Sequence, residues 1–107
     1  MKNILPQSMQ TLRKSYPGVW KSFQELGDQC HGAGPLDERV RRLVKVGIAT
    51  ASQSEGAVHS AVRNAKAAGV SPEEIRHAIL LAVTTVGFPR AMAALSWADD
   101  ILKRRSK

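Results

Sequence analysis

The segment AVRNAKAAGVSPEEIRHA, Ala61 to Ala78, constrains the fold more than any other part of the chain. It writes the end of one helix and the start of the next almost back to back. Gly69 is the residue that closes a helix in a left-handed conformation. Ser71 then reads as an N-cap, Pro72 fits the first helical position, and Glu74 completes a capping box. Apolar residues recur at helical spacing on both sides. Val58, Ala61, Val62, Ala65 and Ala68 form the stripe before the break, and Ile75, Ala78, Ile79, Ala82, Val83 and Val86 the stripe after it. Short apolar runs such as ILLAV sit inside these stretches, so none reads as a strand. The fold class is all-α, a compact bundle of about six helices.

The remaining elements follow from the same signals. Leu5 to Ser15 forms a first helix with Leu5, Met9 and Leu12 on one side, and Pro17 opens a second carrying Val19, Phe23, Leu26 and Cys30. HGAGP, His31 to Pro35, is a break. A third helix runs from Asp37, its N-cap, to about Ser52. Its expected inner stripe is Val40, Leu43, Gly47 and Ala51, with Gly47 allowing a neighbouring backbone to come close. The fifth helix is expected to run unbroken to GFP, Gly87 to Pro89, with Leu80 and Leu81 adding a second apolar side. The sixth spans Arg90 to about Arg104. Trp20 reads as a packing residue, and Phe88 and Trp97 as core or interface packing or, alternatively, as the lining of a pocket for a ring-shaped ligand. At 107 residues the chain reads as a single domain, 1–107.

The net charge is +7. Lys103, Arg104, Arg105 and Lys107 supply four of the positive charges at one helix end, where they suit the helix dipole. Arg39, Arg41, Arg42 and Lys45 supply another group, on a helix face. No aromatic residues interleave with either group, so nucleic acid is not an expected partner. No run approaches the ~20 apolar residues of a membrane span, and Pro6, Gln7, Ser8 and Gln10 interrupt any secretory apolar region, so a cytoplasmic location is expected. The single cysteine, Cys30, excludes an intrachain disulfide and a CxxC motif. It is expected to be a small buried hydrophobe.

Glu55 and His59 stand one turn apart and share a helix face with Arg63. The pair has three readings. It is a solvated i,i+4 contact, or an acid/base site in which Glu55 orients the imidazole. The third is a metal site completed by His77 or His31, whose third ligand nothing in the spacing fixes; no metal or other cofactor is assigned. Residues two apart on a helix point about 200° apart, so His59 is expected to face away from the Val58–Ala61–Val62 stripe. It would then work only in a cleft on the outer side, closed by a neighbouring subunit.

From Gly34 to Leu102, GPLDERVRRLVKVGIATASQSEGAVHSAVRNAKAAGVSPEEIRHAILLAVTTVGFPRAMAALSWADDIL resembles the carboxymuconolactone decarboxylase and alkylhydroperoxidase D-like family. The resemblance implies a helical bundle assembling into trimers or hexamers. It also implies an enzyme that reduces organic hydroperoxides or decarboxylates carboxyl-bearing ring lactones. The thiol branch uses two cysteines two residues apart, a following histidine, and a relay glutamate on the preceding helix. Counted back from Gly69, these positions hold Ser54, Ala57, Ala61 and Arg42, so any activity must be thiol-independent. Glu55 and His59 are then the candidate catalytic residues, and Arg42, Lys45, Arg63 and His77 the candidates for binding an acidic small molecule. The alternative is a non-catalytic oligomeric scaffold or small-ligand-binding protein.

Overall fold

The computed structural model describes residues 5–103. Among them lie seven helices and no strand: α1 (Gln7–Ser15), α2 (Pro17–His31), α3 (Glu38–Ser52), α4 (Glu55–Ala67), α5 (Pro72–Leu80), α6 (Val83–Val86) and α7 (Phe88–Leu102). Arg104, Arg105 and Lys107 of the basic terminus lie outside the described residues. None of the described helices is long and apolar enough to cross a membrane. The chain forms two compact units divided between Leu36 and Asp37.

The first unit is a helical hairpin. Tyr16 ends α1 by donating its N–H to the Leu12 carbonyl, and Pro17 starts α2 at the position that needs no N–H. The Trp20 and Phe23 rings meet at 6.2 Å in a tilted pair. Neither helix contains a buried residue. Val19, Phe23 and Leu26 are exposed, and so is Cys30, which corrects the expectation of a buried thiol.

The second unit is built around α3, α4, α5 and α7. Val46 and Ala49 of α3, Val58, Val62 and Ala65 of α4, Ile75 and Ile79 of α5, and Ala94, Ala98 and Ile101 of α7 form one core, with Val70 sealing the α4–α5 turn. Thr50 is the one buried polar residue of this core, and its hydroxyl donates to the Val46 carbonyl at 2.9 Å. The punctuation forms as expected. Asp37 accepts from the Val40 N–H at 3.0 Å, and Gly69 and Gly87 take φ of 85° and 99°. Trp97 packs on the core, whereas Phe88 is exposed.

Two packing expectations change. On α3 the buried face is Val46, Ala49 and Thr50, about a quarter turn or more from the expected stripe. Leu43 is half-buried, while Val40 and Ala51 are exposed. A side chain grown at Gly47 would meet nothing within 4 Å, so no backbone approaches it closely. The expected fifth helix also breaks. The N–H groups of Ala82 and Thr85 reach back only three residues, to Ile79 and Ala82, and the chain tightens before restarting as α6. The interruption falls at Leu81 and Ala82, just before the β-branched run Val83–Val86 that forms α6 and loses more side-chain freedom in a helix than the residues before it.

Ser71 and Glu74 form the capping box in full: the Glu74 N–H donates to Ser71 Oγ at 3.1 Å, and the Ser71 N–H donates to Glu74 Oε1 at 2.9 Å. Arg39 on α3 also donates to the Glu74 carboxylate. That guanidinium, and then the Ser71 groups, hold the Glu74 carboxyl down from 4.5 to about 2. A depressed folded value means that the stabilisation is complete above pH 4.5 and is lost as pH falls towards 2. Glu74→Gln keeps the capping geometry and removes the charge. Urea titrations of both chains between pH 6 and 2 should therefore show a wild-type advantage that shrinks on acidification. A difference independent of pH would exclude this coupling.

Candidate functional site

The α3–α4 turn is fixed by Gln53, a non-glycine residue at φ 55°. Its side-chain amide donates to the Thr50 and Arg90 carbonyls, both at 2.9 Å, tying the turn to the start of α7. Ser54 follows as the N-cap of α4, its Oγ accepting from the Ala57 N–H at 3.2 Å. Glu55 then occupies the first turn, where a carboxylate suits the positive end of the helix dipole.

One turn on, His59 leaves the core face of α4 at its flank. Its side chain is 23% exposed, and the ring lies at the seam with α7. Nε2 is 2.9 Å from Asp100 Oδ2 and 3.9 Å from Glu55 Oε2. The expectation that His59 faces directly away from its own core is corrected: α7 packs close enough to meet it. Small residues make this approach feasible, since Ala94 and Ala98 belong to the α7 side of the shared core. The adjacent acids of α7 diverge. Asp99 binds Arg76 of α5 at 3.1 Å and Lys103 at 3.6 Å, leaving Asp100 to turn towards α4.

Ligand-capable atoms of Glu55, His59 and Asp100 all lie within 4.8 Å of one another. The third member is thus Asp100, from 41 residues along the chain, rather than His77 or His31. No i,i+4 rule announces such a residue. The available signal is the acidic pair Asp99–Asp100 on a helix whose inner face is alanine, where two acids cannot both face the same neighbour.

The four candidate binding residues are dispersed. His77 lines an open, mostly apolar groove of about 490 Å³ between α3 and α5–α6, together with Leu43, Val44, Gly47, Ala51 and Leu81. Arg42, Lys45 and Arg63 do not line it. Arg42 is largely buried, reaches Glu38 at 3.5 Å, and keeps a buried Nε without a hydrogen bond. Lys45 is exposed on α3, and Arg63 is half-buried one turn beyond His59. Leu43, Gly47 and Ala51 of the stripe expected to face the core wall the groove instead. The groove has volume but only Glu74 and His77 as titratable lining, and Glu74 is engaged in its cap. The concentration of reactive groups lies at the α4–α7 seam.

Where the resemblance places thiols and a histidine, the structure has the capping Ser54 and the half-buried Ala57 and Ala61, both packed on the core. Comparison with known proteins agrees with the resemblance. The family model described as the carboxymuconolactone decarboxylase family matches residues 17–100. An uncharacterized protein of Methanocaldococcus jannaschii is 26% identical over 98 residues, covering 89% of this chain and 94% of the relative.

Proposed function

The chain belongs to the carboxymuconolactone decarboxylase family, and from that premise we propose that it is a thiol-independent proton-transfer enzyme of the lactone-decarboxylating type. The observation that carries this reading is the imidazole of His59 held 2.9 Å from the Asp100 carboxylate, with Glu55 beside it. A carboxylate on an imidazole nitrogen orients the ring and supports its charged form during proton transfer. In the reaction, the bond from a ring carbon of a carboxylated lactone to its carboxylate breaks. The electron pair passes into the lactone's conjugated carbonyl, carbon dioxide leaves, and protonated His59 delivers a proton to the ring carbon. Solvent water restores the proton. Arg63, on the same helix as His59, is assigned to the substrate carboxylate; Arg42, Lys45 and His77 serve at most as outlying charges.

The peroxide-reducing branch fits less well. Reduction by thiols needs a thiolate and a second thiol to resolve the sulfenate, and the chain has only Cys30. Val40, Val44, Ile48, Leu80, Leu81 and Phe88 expose apolar surface on the second unit, which supports assembly into the family's trimers or hexamers. A second reading, a non-catalytic binder of a small apolar acid, is favoured by the α3/α5–α6 groove with His77 on its wall.

The test is carbon dioxide release from a panel of carboxylated lactones without reductant, alongside an organic hydroperoxide with and without dithiothreitol. Lactone turnover unchanged in Cys30→Ser is the expected result. Thiol-dependent peroxide turnover that disappears in Cys30→Ser would overturn the proposal, and inactivity towards both substrate classes would leave the binder reading in its place.

A further inference from the structure

We propose that Glu55, His59 and Asp100 form a binding site for a divalent transition-metal ion, of which zinc is the best-fitting example. The ion would be taken by one imidazole nitrogen and two carboxylate oxygens. The inference does not depend on the proton-transfer reading, because ion binding is read directly.

The donor chemistry points to this class of ion. Imidazole suits zinc, nickel and cobalt, whereas magnesium and calcium favour oxygen alone. The spacing agrees. Bonds of about 2.0–2.2 Å at a tetrahedral angle hold neighbouring ligand atoms roughly 3.3 Å apart. His59 Nε2 stands 2.9 Å from Asp100 and 3.9 Å from Glu55, so the two contacts bracket that separation. Asp100 has to withdraw slightly and Glu55 to close in.

The framework supports such an adjustment. Glu55 and His59 are fixed one turn apart on α4, and the third donor comes from α7 across a seam packed by Val58, Val62, Ala94 and Ala98. The imidazole is mostly buried, while both carboxylates keep exposed side chains that can change rotamer. Two carboxylates and a neutral imidazole sum to two negative charges, which a dication neutralises. Three protein donors leave a fourth position open towards solvent, the arrangement of an open zinc site rather than a closed structural one. An ion on Nε2 takes the place of the hydrogen bond to Asp100 there, so the loaded chain loses the contact that orients the ring for proton transfer.

The full chain, stripped with EDTA, is titrated with zinc by calorimetry and against a chromogenic chelator. It is titrated separately with cobalt, whose absorption reports its ligands. The expected result is one ion per chain, with no thiolate-to-cobalt charge-transfer band and no competition from equimolar magnesium. His59→Ala, Glu55→Gln and Asp100→Asn should each weaken zinc binding by at least about tenfold, the scale on which even outer-sphere partners act. Cys30→Ser and His77→Ala should leave it unchanged. Circular dichroism without metal checks each fold, and the exposed Glu55→Gln carries the test if His59→Ala misfolds. The proposal is overturned by absence of binding, by equal affinity in all three variants, by a thiolate band, or by loss on Cys30→Ser or His77→Ala. A dead lactone assay with intact zinc binding would remove the enzymatic reading alone.

Discussion

The His59→Ala chain is expected to lose about 10²–10⁴-fold in kcat/KM for lactone decarboxylation, the range spanned by a positioned proton-transfer group. The measurement is made in EDTA, so that metal on the same nitrogen cannot stand in for the mutation. Asp100→Asn is the informative companion. It keeps the shape at 2.9 Å from Nε2 but removes the charge that orients the imidazole. On the proposed reading, in which Asp100 acts by positioning the ring, the variant's kcat should fall while KM stays close to the wild-type value. Glu55→Gln, at 3.9 Å, should cost less than Asp100→Asn. Full activity in His59→Ala would assign the chemistry elsewhere in the chain.

Ile79→Ala is expected to destabilise the protein by about 2–5 kcal/mol, the cost of emptying a large core site. Ile79 has no exposed surface and sits with Ile75 at the centre of the second unit. Because whole domains are stable by only about 5–15 kcal/mol, a loss of that size removes much of the margin. At roughly 4–8 °C per kcal/mol for a domain of this size, Tm should drop by about 10 °C or more. Leu81→Ala is the control on the same segment. Leu81 is 65% exposed on the groove wall, so the change should stay within about 0.5 kcal/mol in dilute solution. Calorimetry at low protein concentration separates the two, and equal effects would mean that the α5 core face is misassigned.

What could be read from residues alone followed the strength of local signals. Asp37, Ser71–Glu74, Gly69 and Gly87 each satisfy or terminate backbone groups within a turn, so their roles need no distant partner. The α4 stripe was equally plain, because Glu55, His59 and Arg63 mark its polar side. The α3 face was not. Val44, Val46, Ile48 and Ala49 spread apolar residues around the whole helix, and the choice among faces was made by neighbours: Ala49 and Thr50 are small enough to let α4, α5 and α7 pack closely. Gly47 was misread for the same reason, since an open groove and a close approach both favour a missing side chain. Cys30 continued an apolar spacing, with Val19, Phe23 and Leu26, whose residues stay exposed. At the site, Glu55 and His59 were visible because one turn separates them. Asp100 was invisible because only the α4–α7 crossing, a product of tertiary packing, delivers it.

The hydroxyl of Ser54 has a consequence for what can be put in its place. Placing a thiol there, with a second at Ala57, would exchange a good acceptor for sulfur, a weak one, opposite the Ala57 amide in the first turn of α4. The helix that carries Glu55 and His59 would fray at its entrance by about 1 kcal/mol, as capping losses usually do. A thiol at this position would thus be introduced at the expense of the helix it stands on: the hydroxyl that cannot act as a nucleophile here serves as a fastening instead.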